Sequence, residues 1–262
     1  MLVGCLVAAL VAFTVNENKY LALTTIVAVE QTQGASQLGA LGAQLGGLAS
    51  LAGFSIPSSD GFRVEAFATL ESRELLRQFI LEENLTPILF ADHWDDQKKV
   101  WNTDSGESPS AEDAVRFLQE EVVTINRESG SSIVEVSVKW HDPELCQKWA
   151  NELVRRANAR IRQRAIVEAT KSIEFLEKEL SESSNTGVKS AAFGLIEQQM
   201  ATIMLANVRT DYAFRVIDPA TQPDIDDPVS PRLIVLLLAG VLVWVLLGGI
   251  MVSAVALRDR AD

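Results

Sequence analysis

Histidine and cysteine are scarce in this chain, and acidic residues outnumber basic ones. Its 262 residues include two histidines, two cysteines and 23 Lys or Arg against 35 Asp or Glu, for a net charge of −12. Neither His93 nor His141 has other His or Cys residues around it at metal-binding spacing. The acidic balance lacks the basic surface of a nucleic-acid binder. We therefore expect no metal, no cofactor and no nucleic-acid partner.

The sequence also lacks a recognisable catalytic constellation. Cys5 lies in an apolar run and Cys146 in a predicted helix, so a disulfide between them is not expected. The many carboxylates lie along predicted helices, where they usually form solvated faces. Tryptophans that could stack on sugars more commonly pack in a core or interface; there are four of these candidates: Trp94, Trp101, Trp140 and Trp149. These patterns predict a protein that is not an enzyme.

Near the C-terminus lies the longest apolar run, residues 233–257, in which no charged residue occurs. As a helix it would span roughly 37 Å, enough to cross a hydrocarbon core of about 30 Å. The sequence therefore predicts a transmembrane helix over residues 232–257 and a short cytoplasmic tail over residues 258–262. Within the helix, Gly249 and Ser253 are small residues at a spacing that lets membrane helices approach closely, so we predict a role in helix packing or oligomerisation.

A shorter apolar run occupies residues 1–15. It would reach only about 22 Å as a helix, and it lacks the positive start of a signal peptide. We interpret it as part of a first transmembrane helix that begins before this sequence. The arginines flanking the C-terminal span weakly favour a periplasmic location for residues 16–231. The uncharged Gly-, Ala- and Leu-rich stretch 31–59 fits either a mobile insertion or a segment on the membrane or inside an oligomer.

Several shorter elements are predicted before the middle of the chain. The β-branched stretch 20–30 indicates a strand, and apolar residues at helical spacing indicate one helix over 62–83. The segment around Pro87, His93 and Trp94 is predicted as loop. Ser110, with Asp113 three residues later, forms a capping-box pattern for a helix through about Glu121. Strands over 122–126 and 132–140, joined by turn residues 128–131, indicate a hairpin.

The longest helix is predicted to begin at Asp142-Pro143, with an N-cap followed by proline at the first position. It would extend to residue 184, about 63 Å, and its apolar residues are mostly four apart, so their stripe winds around the helix. We expect Trp149 and Leu153 on this stripe to serve helix packing or oligomerisation. The stripe consists of these residues: Leu145, Trp149, Leu153, Ala157, Ile161, Ala165, Ala169, Ile173, Leu176 and Leu180.

A second helix, about half as long, completes a helical arm over about 142–210. Its apolar residues are predicted on one face: Val188, Ala192, Leu195, Ile196, Met200, Ile203 and Met204. Polar residues elsewhere on the arm, such as Arg156, Arg160 and Glu174, are expected to be exposed. A final strand over 211–218 follows.

Proline is concentrated between that strand and the C-terminal span. Pro219, Pro223, Pro228 and Pro231 restrict the backbone of a semi-rigid linker over 219–231. We predict that this linker has a functional role, because it fixes how the domain sits over the membrane. The fold class that emerges is an α+β periplasmic domain, a small mixed sheet plus a long extended helical arm, tethered by transmembrane helices.

The order of these parts resembles the polysaccharide co-polymerases, the Wzz-type chain-length determinants of O-antigen synthesis. The residues that carry the resemblance cover most of the chain: Leu70-Glu71-Ser72-Arg73, Asp142-Pro143, Trp149-Ala150-Asn151, Tyr212-Ala213-Phe214-Arg215-Val216-Ile217-Asp218-Pro219 and the proline-rich linker. The family's cytoplasmic leader and complete first membrane helix have no counterpart here. Related capsule and exopolysaccharide proteins continue into a tyrosine-kinase domain. This sequence does not, so we expect no kinase activity.

The resemblance implies an α/β base near the bacterial inner membrane, an extended helical arm in the periplasm and a ring-like homo-oligomer. It further implies the O-antigen polymerase and the growing lipid-linked polysaccharide as partners. The function expected from it is a non-catalytic scaffold that sets O-antigen lipopolysaccharide chain length. A periplasmic scaffold of a capsule or exopolysaccharide export system is the alternative, and a glycan-processing enzyme is a third class. Deletion of the gene separates length control from export.

Overall fold

The computed structural model describes residues 18–29, 59–102, 108–127, 132–182 and 184–229. Both apolar terminal runs, most of the stretch 31–59 and the turn 128–131 lie outside the described residues. Within the described ranges, no helix combines the length and apolar character needed to cross a membrane. The elements follow in this order: β1 (Tyr20–Ala28), α1 (Ser59–Leu70), α2 (Arg73–Glu82), α3 (Thr86–Leu89), β2 (Trp94–Asp95), β3 (Val100–Trp101), α4 (Ala111–Phe117), β4 (Val123–Arg127), β5 (Ile133–Trp140), α5 (Pro143–Glu182), α6 (Thr186–Val208) and β6 (Phe214–Asp218).

The domain is built on a four-stranded sheet in the order β4-β5-β1-β6. Every pairing in it is antiparallel, so the prediction of a mixed sheet was wrong. The predicted β4–β5 hairpin pairing is present. The path of α5 and α6 explains the direction of β6: the two helices run outward and back, so the chain re-enters the sheet at the end where β1 finishes. Ala28 pairs with Phe214 there, and Tyr20 pairs with Trp140 at the opposite end.

Strand β1 alternates between a buried and a more exposed face, as a strand with one covered face requires. Ala22 and Ile26 are buried beneath the helices, whereas Leu21 and Leu23 on the other face are about 40% exposed. The helix facing this inner surface is α5, whose first half crosses β1 and β5. The core therefore lies between one sheet face and the first half of the longest helix.

The single helix expected over 62–83 is two helices, α1 and α2. Ser72 separates them with extended backbone, and its hydroxyl accepts a hydrogen bond from the Leu75 amide at 3.2 Å. Serine is a favoured N-cap because its oxygen satisfies a free amide of the first turn.

The predicted N-cap of α4, Ser110, is confirmed, and Asp113 completes the capping box with it. That helix, α4, ends at Phe117 and continues as a π turn to Val122.

The segment predicted as loop around Pro87 contains the short helix α3 and the β2–β3 hairpin. Trp94 and Trp101 pair across this hairpin, with ring centroids 4.8 Å apart. The Asp95 carboxylate accepts hydrogen bonds from the next backbone amides and shapes the turn, in which Lys99 has φ 55°. Sequence patterns could not indicate strands two residues long, because periodicity needs a longer run.

Helix α5 has 40 residues, or about 60 Å, and begins where predicted. The Asp142 carboxylate accepts a hydrogen bond from the Glu144 amide at 2.8 Å, which confirms its capping role. Every member of the predicted apolar stripe is buried or partly buried. Helix α6 has 23 residues and packs against the distal half of α5. These two segments form the helical arm.

Candidate functional site

The two ends of the described domain lie side by side at one end of the sheet. The Val229 amide donates to the Lys19 carbonyl at 2.9 Å, and the Tyr20 hydroxyl donates to the Ile225 carbonyl at 3.2 Å. Tyr20 is 7% exposed, so its position is fixed by the core as well as by this hydrogen bond. The residue preceding β1 and the last described residues of the linker therefore form one junction, which we call the base junction (residues 19–20 and 225–229).

The beginning of the linker is held against α5 by side-chain amides. The Asn151 side chain donates to the Ala220 carbonyl at 2.9 Å and accepts from the Ala220 amide at 3.0 Å. Gln147 donates to the same carbonyl at 3.2 Å. Ala220 is 2% exposed, and the methyl group of alanine fits beside the helix. The linker thus leaves the sheet along a path that α5 defines.

A second asparagine on the same face of α5 holds the other end of β6. Asn158 is seven residues after Asn151, or about two helical turns. Its side chain donates to the Phe214 carbonyl at 2.8 Å and accepts from the Ala213 and Phe214 amides at 2.9 and 2.8 Å. Asn158 is 4% exposed, so these bonds satisfy polar groups that water does not reach. We call Asn151 and Asn158 the asparagine clamp.

Of the predicted linker prolines, three lie within the described residues. Pro219 is exposed, whereas Pro223 and Pro228 are partly buried. Between the last two, the Asp227 amide donates to the Asp224 carbonyl at 3.2 Å and closes a turn that directs the chain toward Lys19. Pro231 lies outside the described residues.

Arg156 is the centre of an ion-pair cluster between α2 and α5. Its guanidinium contacts Glu82, Glu83 at 2.8 Å and Glu152 at 2.7 Å, and it lies 5.3 Å from the centre of the Phe79 ring. Its side chain is only 14% exposed, so the expectation that Arg156 is an exposed residue was wrong. Long cations can cover apolar surface with their stems while the charged head pairs, which sequence periodicity alone does not reveal.

This cluster changes the acid–base behaviour of two carboxylates. The hydrogen bond from Lys148, assisted by Arg156, holds the pKa of Glu83 below its ordinary value. The hydrogen bond from Arg155, together with the charge of Arg156, does the same for the pKa of Glu152. In both cases the ionised form is favoured over the opposing effect of desolvation.

Trp149 and Leu153, predicted for helix packing or oligomerisation, lie in the core of the domain. They are 1% and 2% exposed, and the Trp149 ring packs against Phe79 and Trp140 with centroids 6.5 and 5.6 Å apart. These contacts are internal to the protomer and fasten α5 to the sheet and α2. The other two residues of that prediction, Gly249 and Ser253, lie outside the described residues.

The apolar residues predicted on one face of α6 do not all face α5. Ala192 is 6% exposed, but Val188, Met200 and Met204 are 49%, 60% and 61% exposed. The apolar residues surround much of α6, so the pattern did not identify its buried side. In α5 the buried side was easier to predict, because charged residues occupy the surface of the helix away from the apolar stripe.

The described residues offer little reactive chemistry. Burial raises the pKa of the Cys146 thiol to about 11, so it is not a nucleophile at neutral pH. Within the described ranges, no group of three or more His, Cys, Asp or Glu side chains is placed to hold a metal ion. Trp140 and Trp149 are buried, which leaves the partly buried Trp94–Trp101 pair as the more accessible aromatic surface.

The asparagine clamp was not predicted from the sequence. Asparagine is unfavourable inside a helix, because its short polar side chain competes for backbone hydrogen bonds. Two asparagines seven residues apart, a spacing that places both on one side of the helix, are the signal that could have indicated it. Buried asparagines on an apolar face need polar partners, and an adjacent edge strand supplies them.

No protein-family profile and no curated protein matches the chain. Several solved structures are similar to it, and three of them follow. A fragment of WzzB, a polysaccharide co-polymerase from Salmonella Typhimurium, matches with 16% identity over 81% of this chain and 100% of the other, at a TM-score of 0.39. A full-length bacterial polysaccharide co-polymerase matches with 13% identity over 98% and 92% of the two chains, at a TM-score of 0.37. A Wzz dodecamer fitted to a cryo-EM map matches with 11% identity over 79% and 99%, at a TM-score of 0.30.

Proposed function

We propose that this chain is a non-catalytic scaffold of the bacterial inner membrane that regulates polysaccharide chain length. In this proposal it acts as a polysaccharide co-polymerase on O-antigen lipopolysaccharide, with its main domain in the periplasm. The observation that carries the proposal is the base junction, where Lys19 and Val229 are hydrogen-bonded. A domain tethered by two membrane helices needs both of its ends on one side, and the two apolar runs of the sequence continue from these ends.

The direction of α5 supports a periplasmic arm that points away from the membrane. The helix begins beside Trp140, which pairs with Tyr20 at the base-junction end of the sheet. It then crosses the sheet and continues beyond it, for a total of about 60 Å. An arm of this length extends the domain far from the bilayer surface, where a growing lipid-linked polysaccharide can contact it.

The asparagine clamp gives the scaffold a mechanical connection between its arm and its linker. Asn151 and Asn158 bond the backbone at both ends of β6 to the same helix that forms the arm. A change in the position of the arm would therefore be transmitted to the linker, and through it to the membrane helix. This coupling suits a protein that responds to a polymer through its shape and assembly.

Homo-oligomerisation is part of the proposal, and the distal part of α5 supports it. Val167 and Phe175 are 39% and 52% exposed there, on the part of α5 against which α6 packs. Contact between the arms of adjacent copies would bury these side chains, which is favourable at about 25 cal/mol per Å² of apolar surface.

The O-antigen polymerase is proposed as the partner at the membrane.

The decisive experiment is deletion of the gene followed by sizing of the surface glycan on a gel. We expect polymer to remain, with its preferred length lost, and complementation with the intact gene to restore the original distribution. Loss of surface polymer would instead support a scaffold of capsule or exopolysaccharide export. A stable, assembled point variant that abolishes polymerisation altogether would refute the scaffold and favour an enzyme, because catalytic groups contribute roughly 10²–10⁴-fold to rate.

A further inference from the structure

The β2–β3 hairpin carries two tryptophans that the core of the domain does not use. Trp94 and Trp101 are both partly exposed, and neither belongs to the apolar side chains that form or line the core. Trp140 and Trp149, by contrast, are 4% and 1% exposed within that core. Val100, next to Trp101, is 50% exposed. Large apolar side chains that are grouped outside the core indicate a contact surface.

The charged residues of this hairpin compensate each other within it. The Lys98 ammonium lies 3.2 Å from the Asp95 carboxylate. The Lys99 ammonium lies 2.7 Å from the Asp96 carboxylate, which also accepts a hydrogen bond from the Trp94 indole at 3.4 Å. Residues 94–101 therefore have no net charge, although the chain as a whole carries −12. Both lysine side chains are at least 70% exposed, so they remain available to other anions.

The hairpin is attached to the end of the sheet that carries the base junction. Phe90, four residues before Trp94, packs against Phe117 with ring centroids 5.5 Å apart. Phe117 packs edge-on against Trp140 at 6.1 Å, and Trp140 pairs with Tyr20 of the base junction. Four residues extend the backbone by at most about 14 Å, so the hairpin begins within that distance of this part of the core.

The bilayer of the proposed function lies within reach of the same end of the domain. Four residue steps separate Lys19 from the apolar run 1–15, and four separate Val229 from the run 233–257. Each connection extends at most about 14 Å. Ile225, in the base junction, is 66% exposed and adds a further large apolar side chain at this end. A lipid surface is therefore the apolar partner that the position of the chain ends brings to the hairpin.

We propose that the β2–β3 hairpin is an interfacial anchor that inserts into the headgroup layer of the bilayer. Tryptophan is enriched at membrane–water interfaces, because its ring is apolar and its indole N–H is a hydrogen-bond donor. Lys98 and Lys99 can place their stems in the apolar layer and their ammonium groups beside lipid phosphates. The anchor rests on the membrane placement in the proposed function. To the tethers it adds a contact that fixes the height of the base domain above the lipid.

Spin labelling of the full chain in phosphatidylcholine vesicles measures this contact directly. A nitroxide is attached to Val100→Cys in a Cys5→Ser background, with Cys146 retained because it is buried. Oxygen concentrates in a bilayer, whereas a water-soluble nickel chelate is excluded from it. We expect frequent collisions with oxygen and few with the chelate at position 100. The matched control, Glu177→Cys on an exposed site of α5, should show the reverse. A label at position 100 that is as open to the chelate as the control would overturn the proposal.

A double substitution tests whether the tryptophans hold the hairpin in the lipid. Trp94→Ala with Trp101→Ala should raise chelate access at position 100 several-fold. Thermal unfolding of the domain should stay the same, because neither ring belongs to the core. Unchanged chelate access would overturn the role of the two tryptophans.

The same measurements separate lipid from other partners and the anchor from the proposed function. Exclusion of both oxygen and chelate at position 100 would indicate a protein contact, and protection that appears only after polysaccharide is added would indicate a saccharide site. Either result would overturn the anchor. A label at Ser253→Cys tests the proposed span: contact with water there would refute the membrane placement itself. A lipid-buried label at position 253 together with an aqueous label at position 100 would refute the anchor alone.

Discussion

Replacement of Asn158 by leucine tests whether the asparagine clamp holds β6 to the arm. Leucine has a similar volume, so the change removes polar atoms without leaving a large cavity. It removes three hydrogen bonds, at 2.8 to 2.9 Å, to the backbone of Ala213 and Phe214. Each such bond contributes about 1 kcal/mol net, and buried groups left without a partner add a desolvation penalty. We expect the free energy of unfolding to fall by about 3–5 kcal/mol, a large part of a typical domain stability of about 5–15 kcal/mol.

Asn151→Leu is the matched control on the same face of α5. It removes two hydrogen bonds to Ala220, but Gln147 still donates to the Ala220 carbonyl at 3.2 Å. Asn151 is also partly exposed, so water can replace some of what is lost. The expected cost is therefore about 1 kcal/mol.

Urea unfolding of the purified protein, followed by tryptophan fluorescence, measures both variants against the parent. Trp140 and Trp149 are 4% and 1% exposed and should report loss of the core. Hydrogen exchange adds a local readout: the Ala213 and Phe214 amides should lose protection in Asn158→Leu and keep it in Asn151→Leu. Equal costs for the two variants, or retained protection at Phe214, would refute the assignment of Asn158 as the stronger half of the clamp.

Three further predictions follow from the ion-pair cluster and the linker. Arg156→Ala should lower the free energy of unfolding by about 2 kcal/mol, measured by urea unfolding, because it removes the cation that Glu83 and Glu152, both partly buried, share and leaves each with one basic partner, Lys148 or Arg155; a cost below about 0.5 kcal/mol would match an ordinary surface change and contradict this. Because the pKa values of Glu83 and Glu152 are lowered in the folded state, the stability they provide is complete above the unfolded carboxyl pKa of about 4.3 and is lost as pH falls through the folded values. Acid unfolding monitored by fluorescence should show this loss, and Arg156→Ala should weaken it; an unchanged acid profile would count against the cluster. Pro228→Gly should leave the domain folded but broaden the glycan length distribution, and an unaltered distribution at equal protein level would remove the linker from the mechanism.

The sequence was sufficient to predict elements whose signals are local. The Asp142-Pro143 start of α5 and the Ser110–Asp113 capping box are confirmed, because caps depend on residues within one turn of the helix. The winding stripe of α5 was also readable, since its charged residues define the opposite side. Strand β1 and the β4–β5 hairpin pairing were predicted from β-branched runs and their spacing.

Only the tertiary structure decided which polar residues are structural and where the two ends of the domain meet. Arg156 reads as a surface residue in the sequence, yet folding brings it against Glu82 and Glu83, more than seventy positions earlier. The asparagine clamp likewise joins α5 to backbone groups about sixty positions later, and no local pattern encodes such pairings. The antiparallel direction of β6 depends on the outward and return path of α5 and α6. Caps and periodicity act over a few residues, whereas these features arise from contacts between segments that meet only when the chain has folded.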